Sequence, residues 1–543
     1  MTDDPNFTPP ADRRSATDRA HIGDIEGALG TLPAHDTRPR RTFSARLATL
    51  LAVIGPGIVV MVADNDAGSF SVFAQAGQNH GTGLIWVIVL LCPALFVMQE
   101  MAARLGATTG VGFAMLIRQR FGRIWSWFSL TQLFGLNIAT LLVEFIGVRL
   151  ALGYFGVSRY VAVPLAAGAL ITVTAGGRFR RWERAMYVMI ALDLALIPVA
   201  AFAHFHGAPA AVGGHAVSQR GDHAGLLLLL ALFGSSLTAW QLFFQQSSVI
   251  DKRITPRWLN YERADTAIGA VLFGLCAAAV VAIAAAAIGN GMLHGHFHNV
   301  GDVLSAVDIQ LGGPAAAVLA IMLLNASLLC AGAVSLSGSY ALAELLGTKH
   351  SLHRRFSDAP WFHAAFAGMI VLAAAIALIP GLPPGSATVL VQAGGALLLP
   401  PMLVLLLLLA NDHAVLGPQR NRWIQNAAAA ATIAFLAALS MMLALRTVFP
   451  GVRLHVNNLT IPAAAAAVTV AVVLAHTLYQ RLSGSAEDPD HELTPWERRT
   501  WTTPALERID PPSASRLRTA ALAAAAGYVA VVAVLLGYAA AGL

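Results

Sequence analysis

A chain that sets one apolar stretch of roughly 20 residues after another has few folding options, because about 20 helical residues cross a hydrocarbon core of about 30 Å. This chain does so along most of its 543 residues. About thirteen such segments are read, at 48–76, 83–104, 125–152, 160–176, 185–205, 224–249, 264–289, 313–346, 361–380, 386–410, 424–447, 459–480 and 518–541. Charged residues make up only 12% of the chain, about half the share of a soluble globular domain. With a mean hydropathy of +0.65, too little polar surface remains to cover several soluble domains. The reading is an all-α, multi-pass integral membrane protein whose surroundings are a lipid bilayer.

Basic residues set the expected orientation, since cytoplasmic loops retain Lys and Arg. Arg118, Arg120 and Arg123 follow the second span, and Arg178, Arg180, Arg181 and Arg184 follow the fourth. Lys252, Arg253 and Arg257, then Lys349, Arg354 and Arg355, then Arg420 and Arg422 continue the alternation. Arg159, Arg220, Arg446 and Arg453 are the exceptions. This places the N-terminus in the cytoplasm, and the compact Arg-rich loops suggest a bacterial inner membrane. The net charge of +6 is dispersed among these loops, so it reports topology and no nucleic-acid partner is expected. Residues 1–45 are polar, without the pattern of a cleaved signal peptide, and are expected to be a disordered cytosolic tail. The remaining divisions are 46–206 and 207–410 as two groups of five spans, 411–481 as further helices, 482–516 as a polar cytosolic segment and 517–543 as a last apolar helix.

Two spans carry polar residues at membrane depth, where such groups are costly and face a cavity or a partner. In the first, Gly55-Pro56-Gly57 precedes Asp64-Asn65-Asp66-Ala67-Gly68-Ser69. In the sixth, Gly234-Ser235-Ser236-Leu237-Thr238-Ala239-Trp240-Gln241 interrupts an apolar run. Glycine weakens a helix, and Asp, Asn and Ser favour caps and turns, so both helices are expected to break there. Interrupted helices opening two successive groups of five point to a secondary transporter of inverted repeats, with a midplane site. A carboxylate beside freed carbonyls makes that site attractive to cations.

The stretch from Gly55 through Asp66-Ala67-Gly68-Ser69-Phe70 and Gln75-Ala76-Gly77 to Ala102-Ala103-Arg104-Leu105-Gly106 resembles the first two helices of the Nramp divalent-metal transporters. Weaker likenesses are Glu144-Phe145-Ile146-Gly147, Ser337-Gly338-Ser339-Tyr340 and Gln392 with Leu399-Pro400. The resemblance implies a LeuT-like inverted repeat of 5+5 transmembrane helices, with helices 1 and 6 unwound and two or three extra helices at the C-terminus. It implies Asp66 as a metal ligand, with Ser69 where the family has asparagine and Ala67 where it has proline. Aligned by Gly234, Thr238, Ala239 and Trp240 stand where the family reads Met-Pro-His. Losing a thioether shifts the expectation to a hard ion, Mg²⁺ or Mn²⁺, held by oxygen. In this the chain resembles the Nramp-related magnesium transporter branch.

The expected donors are Asp66, Ser69, Asp64, Ser235, Thr238, Gln392 and Gln241. Each has an alternative: Asp64 as a helix cap, Ser235 and the other hydroxyls bonded to their own helix, Gln392 bonded to nearby backbone. Trp240 is read as a wall of the site. The resemblance also implies a proton path on the third span, where Glu144 remains but Leu141 replaces an aspartate. Glu144 is read either as a titrating gate residue or as a partner of Arg149. The interrupted relay favours uncoupled import, for which a divalent ion gains about 4.6 kcal/mol per 100 mV. Asp193, Asp265 and Glu344 are read as packing or gate partners. His204, His206, His215 and His223, and His294, His296 and His298, are read as solvated outer loops. Cys92, Cys276 and Cys330 sit singly in apolar runs, so no thiolate site is expected. No nucleotide loop or catalytic motif is visible, so neither an enzyme, a resident cofactor nor an ATP-driven pump is expected. The alternatives are a proton-coupled Mn²⁺/Fe²⁺ transporter and an amino-acid or small-solute carrier of the same fold.

Overall fold

The computed structural model describes residues 18–36, 38–206, 223–288, 299–381, 384–448, 493–504 and 528. The expected spans at 459–480 and 518–541 lie outside the described residues, apart from Tyr528, as do His215, His294, His296 and His298. The helices, in chain order, are α1 (Phe43–Val53), α2 (Pro56–Ala63), α3 (Ala67–His80), α4 (Ile85–Thr109), α5 (Phe113–Phe121), α6 (Arg123–Tyr154), α7 (Arg159–Ala175), α8 (Phe179–Asp193), α9 (Leu196–His206) and α10 (His223–Gly234). There follow α11 (Ala239–Asp251), α12 (Leu259–Ile288), α13 (Val300–Leu311), α14 (Gly313–Leu345), α15 (Pro360–Ala377), α16 (Pro384–Asn411), α17 (His413–Leu416), α18 (Trp423–Val448) and α19 (Pro495–Thr500). Among the described residues nine helices are long and apolar enough to cross a membrane, and α1 with α2, bent by 55°, adds a tenth.

The breaks fall where glycine, proline and acidic residues cluster. Gly55 adopts φ +152°, and a Cβ there would lie 2.4 Å from the Glu183 carboxylate, so only glycine fits. Pro56 then starts α2, where its missing N–H costs nothing. The first span therefore breaks twice, at Gly55 and at residues 64–66, where one interruption was expected. Asp265 of α12 accepts hydrogen bonds from the N–H groups of Gly55, Gly57 and Ile58 at 3.0, 2.7 and 3.2 Å. These are donors that a helix start otherwise leaves unpaired. The structure thus assigns Asp265 a definite job as the cap of α2.

The second break separates α10 from α11 at residues 235–238. α12 lies along α2 and α3, α14 along α6, and α10 against α16. Small residues set these crossings: a Cβ on Gly57 would meet the Thr266 backbone at 2.6 Å, and one on Gly77 the Val281 carbonyl at 2.4 Å. Without a hydrophobic drive between helices in lipid, such close backbone approach is what supplies packing energy.

The expectation of a disordered tail fails for residues 18–36 and 38–45. Ile25–Gly27 and Gly30–Leu32 form a two-stranded antiparallel hairpin, and Ile25 and Leu32 bury against Ala52, Val53, Val249 and Ile254. Asp18 pairs with Arg354 and accepts from the His350 N–H at 3.0 Å. Arg253 donates to the carbonyls of Ala20 and Asp24, and Ala28 N–H donates to Glu183 at 2.5 Å. A few apolar residues and one buried carboxylate thus fasten a mostly polar segment across the ends of α8 and α11 and the α14–α15 connection. In the polar segment expected at 482–516, Thr503 N–H donates to the Thr108 carbonyl and its hydroxyl to that of Val415.

Burial alone would raise the Asp18 carboxyl, but the Arg354 guanidinium and the N–H groups of Ala20 and His350 outweigh it and hold the group well below the carboxylate range. Because the folded group is the more acidic, its contribution is complete above that range and fades only as the pH falls below it. Removing the charge with Asp18→Asn gives up bonds of about 1.5–3 kcal/mol. Amide exchange of residues 18–28 should then rise about tenfold or more. Unchanged exchange would show that the pair does not anchor the segment.

Candidate functional site

The two gaps meet. The Ser69 hydroxyl on α3 donates to the Ser235 carbonyl, freed where α10 ends, at 2.8 Å. Asp66, in extended backbone, caps α3 by accepting from the Ser69 N–H through Oδ1 at 2.6 Å. Its other oxygen, Oδ2, faces Cys330 at 3.5 Å. The cap occupies one oxygen of the carboxylate and leaves the other turned away from the start of α3.

The remaining candidates divide. Gln392 of α16 donates to Asp66 Oδ1 at 3.4 Å, so it faces the carboxylate and not only backbone. Gly68 and Gly234 make that approach possible: a Cβ on Gly68 would fall 1.9 Å from the Gln392 amide, and one on Gly234 1.9 Å from the Gln392 carbonyl. Asp64 is fully buried with neither carboxylate oxygen hydrogen-bonded, and Asn65 beside it has both side-chain polar atoms unpartnered. A buried carboxylate without hydrogen-bond partners is expensive. The Ser235 hydroxyl turns back to the Leu232 carbonyl at 2.9 Å, so Ser235 offers the site its carbonyl alone.

Thr238 begins α11, and its N–H donates to Gln241 Oε1 at 3.2 Å. Gln241 also accepts from Gln99 at 3.2 Å, so it secures the start of α11 instead of reaching Asp66. Trp240 is buried against Phe244.

Glu144 accepts from the Ala67 N–H at 3.2 Å, which ties α6 to the first gap, and its Oε1 is buried without a partner. No ion pair joins it to Arg149 among the described residues, which corrects that alternative. Asp193 accepts from Asn325 at 2.7 Å and is a packing residue.

Cys330, read in the sequence as one of three thiols set singly in apolar runs, lies beside this cluster. Cys330 is fully buried, and it joins Asp66 and Glu144 in a group whose ligand atoms lie within 4.8 Å of one another. It escaped notice because it sits in an apolar stretch of α14. Ser327, one helical turn earlier, and Ser337, two turns later, are the polar signs on that face.

A family model described as Natural resistance-associated macrophage protein-like matches residues 57–446. The chain belongs to the Nramp family. Among curated Nramp relatives, the divalent metal cation transporter MntH of Deinococcus radiodurans is 27% identical over 361 residues, covering 63% of this chain and 78% of the relative. The protein of the same name from Burkholderia ambifaria is 27% identical over 386 residues, covering 67% and 83%. The Eremococcus coleocola manganese transporter, solved with an aromatic bis-isothiourea substituted compound, shares the Nramp fold at a TM-score of 0.59 and 18% identity, covering 84% of this chain and 98% of that one.

Overpacking a core costs about 1–3 kcal/mol when the neighbour cannot yield. Gly234→Ala sets a methyl against the Gln392 backbone, whereas Gly135 has nothing within 4 Å of its Cβ position. Gly234→Ala should lower the melting temperature of the purified protein and Gly135→Ala should not. Equal melting would show that α10 and α16 are not held this closely.

Proposed function

We propose that this Nramp protein carries a divalent cation across the membrane by alternating access, with Mn²⁺ the ion the site fits best and Mg²⁺ a second reading. The observation that carries the proposal is the junction of the two gaps. Asp66, the Ser235 carbonyl, Gln392 and Glu144 converge there, and Asp64 stands near with unsatisfied oxygens. Oxygen donors of this kind suit Mn²⁺ and Mg²⁺ alike. The MntH relatives are named for divalent metal cations and the structural neighbour for manganese. Mg²⁺ is favoured by Asp64, whose charge suits an ion that keeps several waters. In this reading Asp66 is a direct ligand, Asp64 acts through water, and Thr238 and Gln241 shape the second gap.

Transport is uncoupled from protons in this reading. Leu141 and Trp240 are buried and apolar where the sequence comparison set a proton path, leaving Glu144 alone. The N-terminus is on the cytoplasmic side of a bacterial inner membrane, as the basic loops require. A small-solute carrier would need to hold an organic group, and a substrate carboxylate would be repelled by Asp64 and Asp66.

Proteoliposomes with an interior pH dye test this reading. Uptake of Mn²⁺ driven by an inside-negative potential, with no accompanying acidification, is the expected result, and Asp66→Ala should reduce it to background. Undiminished uptake by Asp66→Ala would remove this residue from the path, and stoichiometric acidification would establish coupling. Mg²⁺ uptake comparable to that of Mn²⁺ would favour the second reading. Thr238→Met should raise the uptake of Cd²⁺ relative to Mg²⁺, since a thioether is a softer donor than a hydroxyl. An unchanged ratio would place Thr238 away from the ion.

A further inference from the structure

The site contains one soft atom. Cys330 Sγ lies 3.5 Å from Asp66 Oδ2, the oxygen that does not cap α3. Cys92 and Cys276 are different: each thiol donates to a backbone carbonyl, Cys92 to Ile88 and Cys276 to Asp193, as structural cysteines do. Cys330 instead faces two carboxylates, with Glu144 completing a group whose donor atoms lie within 4.8 Å.

A hydrogen bond from thiol to carboxylate accounts for the first pair but leaves Glu144 Oε1 buried without a hydrogen-bond partner. A shared cation accounts for both. A tetrahedral zinc ion held by oxygen at about 2.1 Å and sulfur at about 2.3 Å keeps the two donors about 3.6 Å apart. The observed separation of 3.5 Å matches this.

We propose that Cys330 is a direct ligand of the transported cation, so that a sulfur supplied by α14 tunes the site toward thiophilic divalent ions and away from Mg²⁺. The inference rests on the reading that the ion passes through the site at Asp66, and it deepens that reading by naming the ion class. Thiolate is a soft donor that selects against ions suited to oxygen alone, and the thiol proton is lost to solvent as the ion binds. Neither gap supplies the sulfur, so selectivity and unwinding reside on separate helices.

The test uses the full chain in liposomes with Cys92→Ala and Cys276→Ala, leaving Cys330 the only thiol. Cd²⁺ and Mn²⁺ uptake are measured together, and the sulfur-to-cadmium charge-transfer band is recorded on the purified protein. Cys330→Ser is expected to lower the ratio of Cd²⁺ to Mn²⁺ uptake about tenfold and to abolish the band. An unchanged ratio with no band in the parent overturns the proposal and leaves metal transport standing. A parent that moves neither ion overturns both. Should Cys330→Ser fail to carry Mn²⁺, the band decides: present in the parent and lost in Cys330→Ala, it upholds the ligand, and absent from the parent, it overturns it.

Discussion

An interrupted helix within a bilayer exposes backbone groups that lipid cannot satisfy, and the architecture depends on how they are paired. Three devices do this. Asp265 accepts the first N–H groups of α2, Asp66 caps α3, and the Ser69 hydroxyl takes the carbonyl freed at Ser235. The last of these joins the two gaps. The same bond that satisfies the backbone therefore brings the opening helix of one repeat to the opening helix of the other.

The surrounding helices complete the arrangement by proximity. α16 reaches Asp66 through Gln392 because Gly68 and Gly234 leave no side chain between them. α6 reaches the first gap through Glu144, and α14 through Cys330. Five helices thus deliver groups to one point, yet several of those groups have unspent hydrogen-bonding capacity. Asp64 and Glu144 keep oxygens without partners in a setting where such oxygens are costly.

Much of this was legible in the sequence because membrane depth makes polar residues conspicuous. Gly55-Pro56-Gly57 and the Asp64–Asp66 pair announce a break in any apolar run, and the second gap follows the same logic at Ser235. What escaped were features whose chemistry lies in long-range pairing. Cys330 is apolar enough to pass as core, and only the fold sets it beside Asp66. Asp265 looks like a stray carboxylate until α2 is placed on it. The hairpin was hidden by composition: Ile25 and Leu32 are two apolar residues in a polar stretch, and their burial depends on Val249 and Ile254, more than two hundred positions away. The Mg²⁺ expectation followed from a missing thioether at Thr238, a residue-type argument.

The docking of Asp18 onto Arg354 spans 336 positions of sequence. Synthesis delivers Asp18 long before its partner, and the spans that carry Arg354 to it must insert first. The strap across the ends of α8 and α11 is therefore among the last pieces of the molecule to settle, a clasp fastened after the bundle has been assembled.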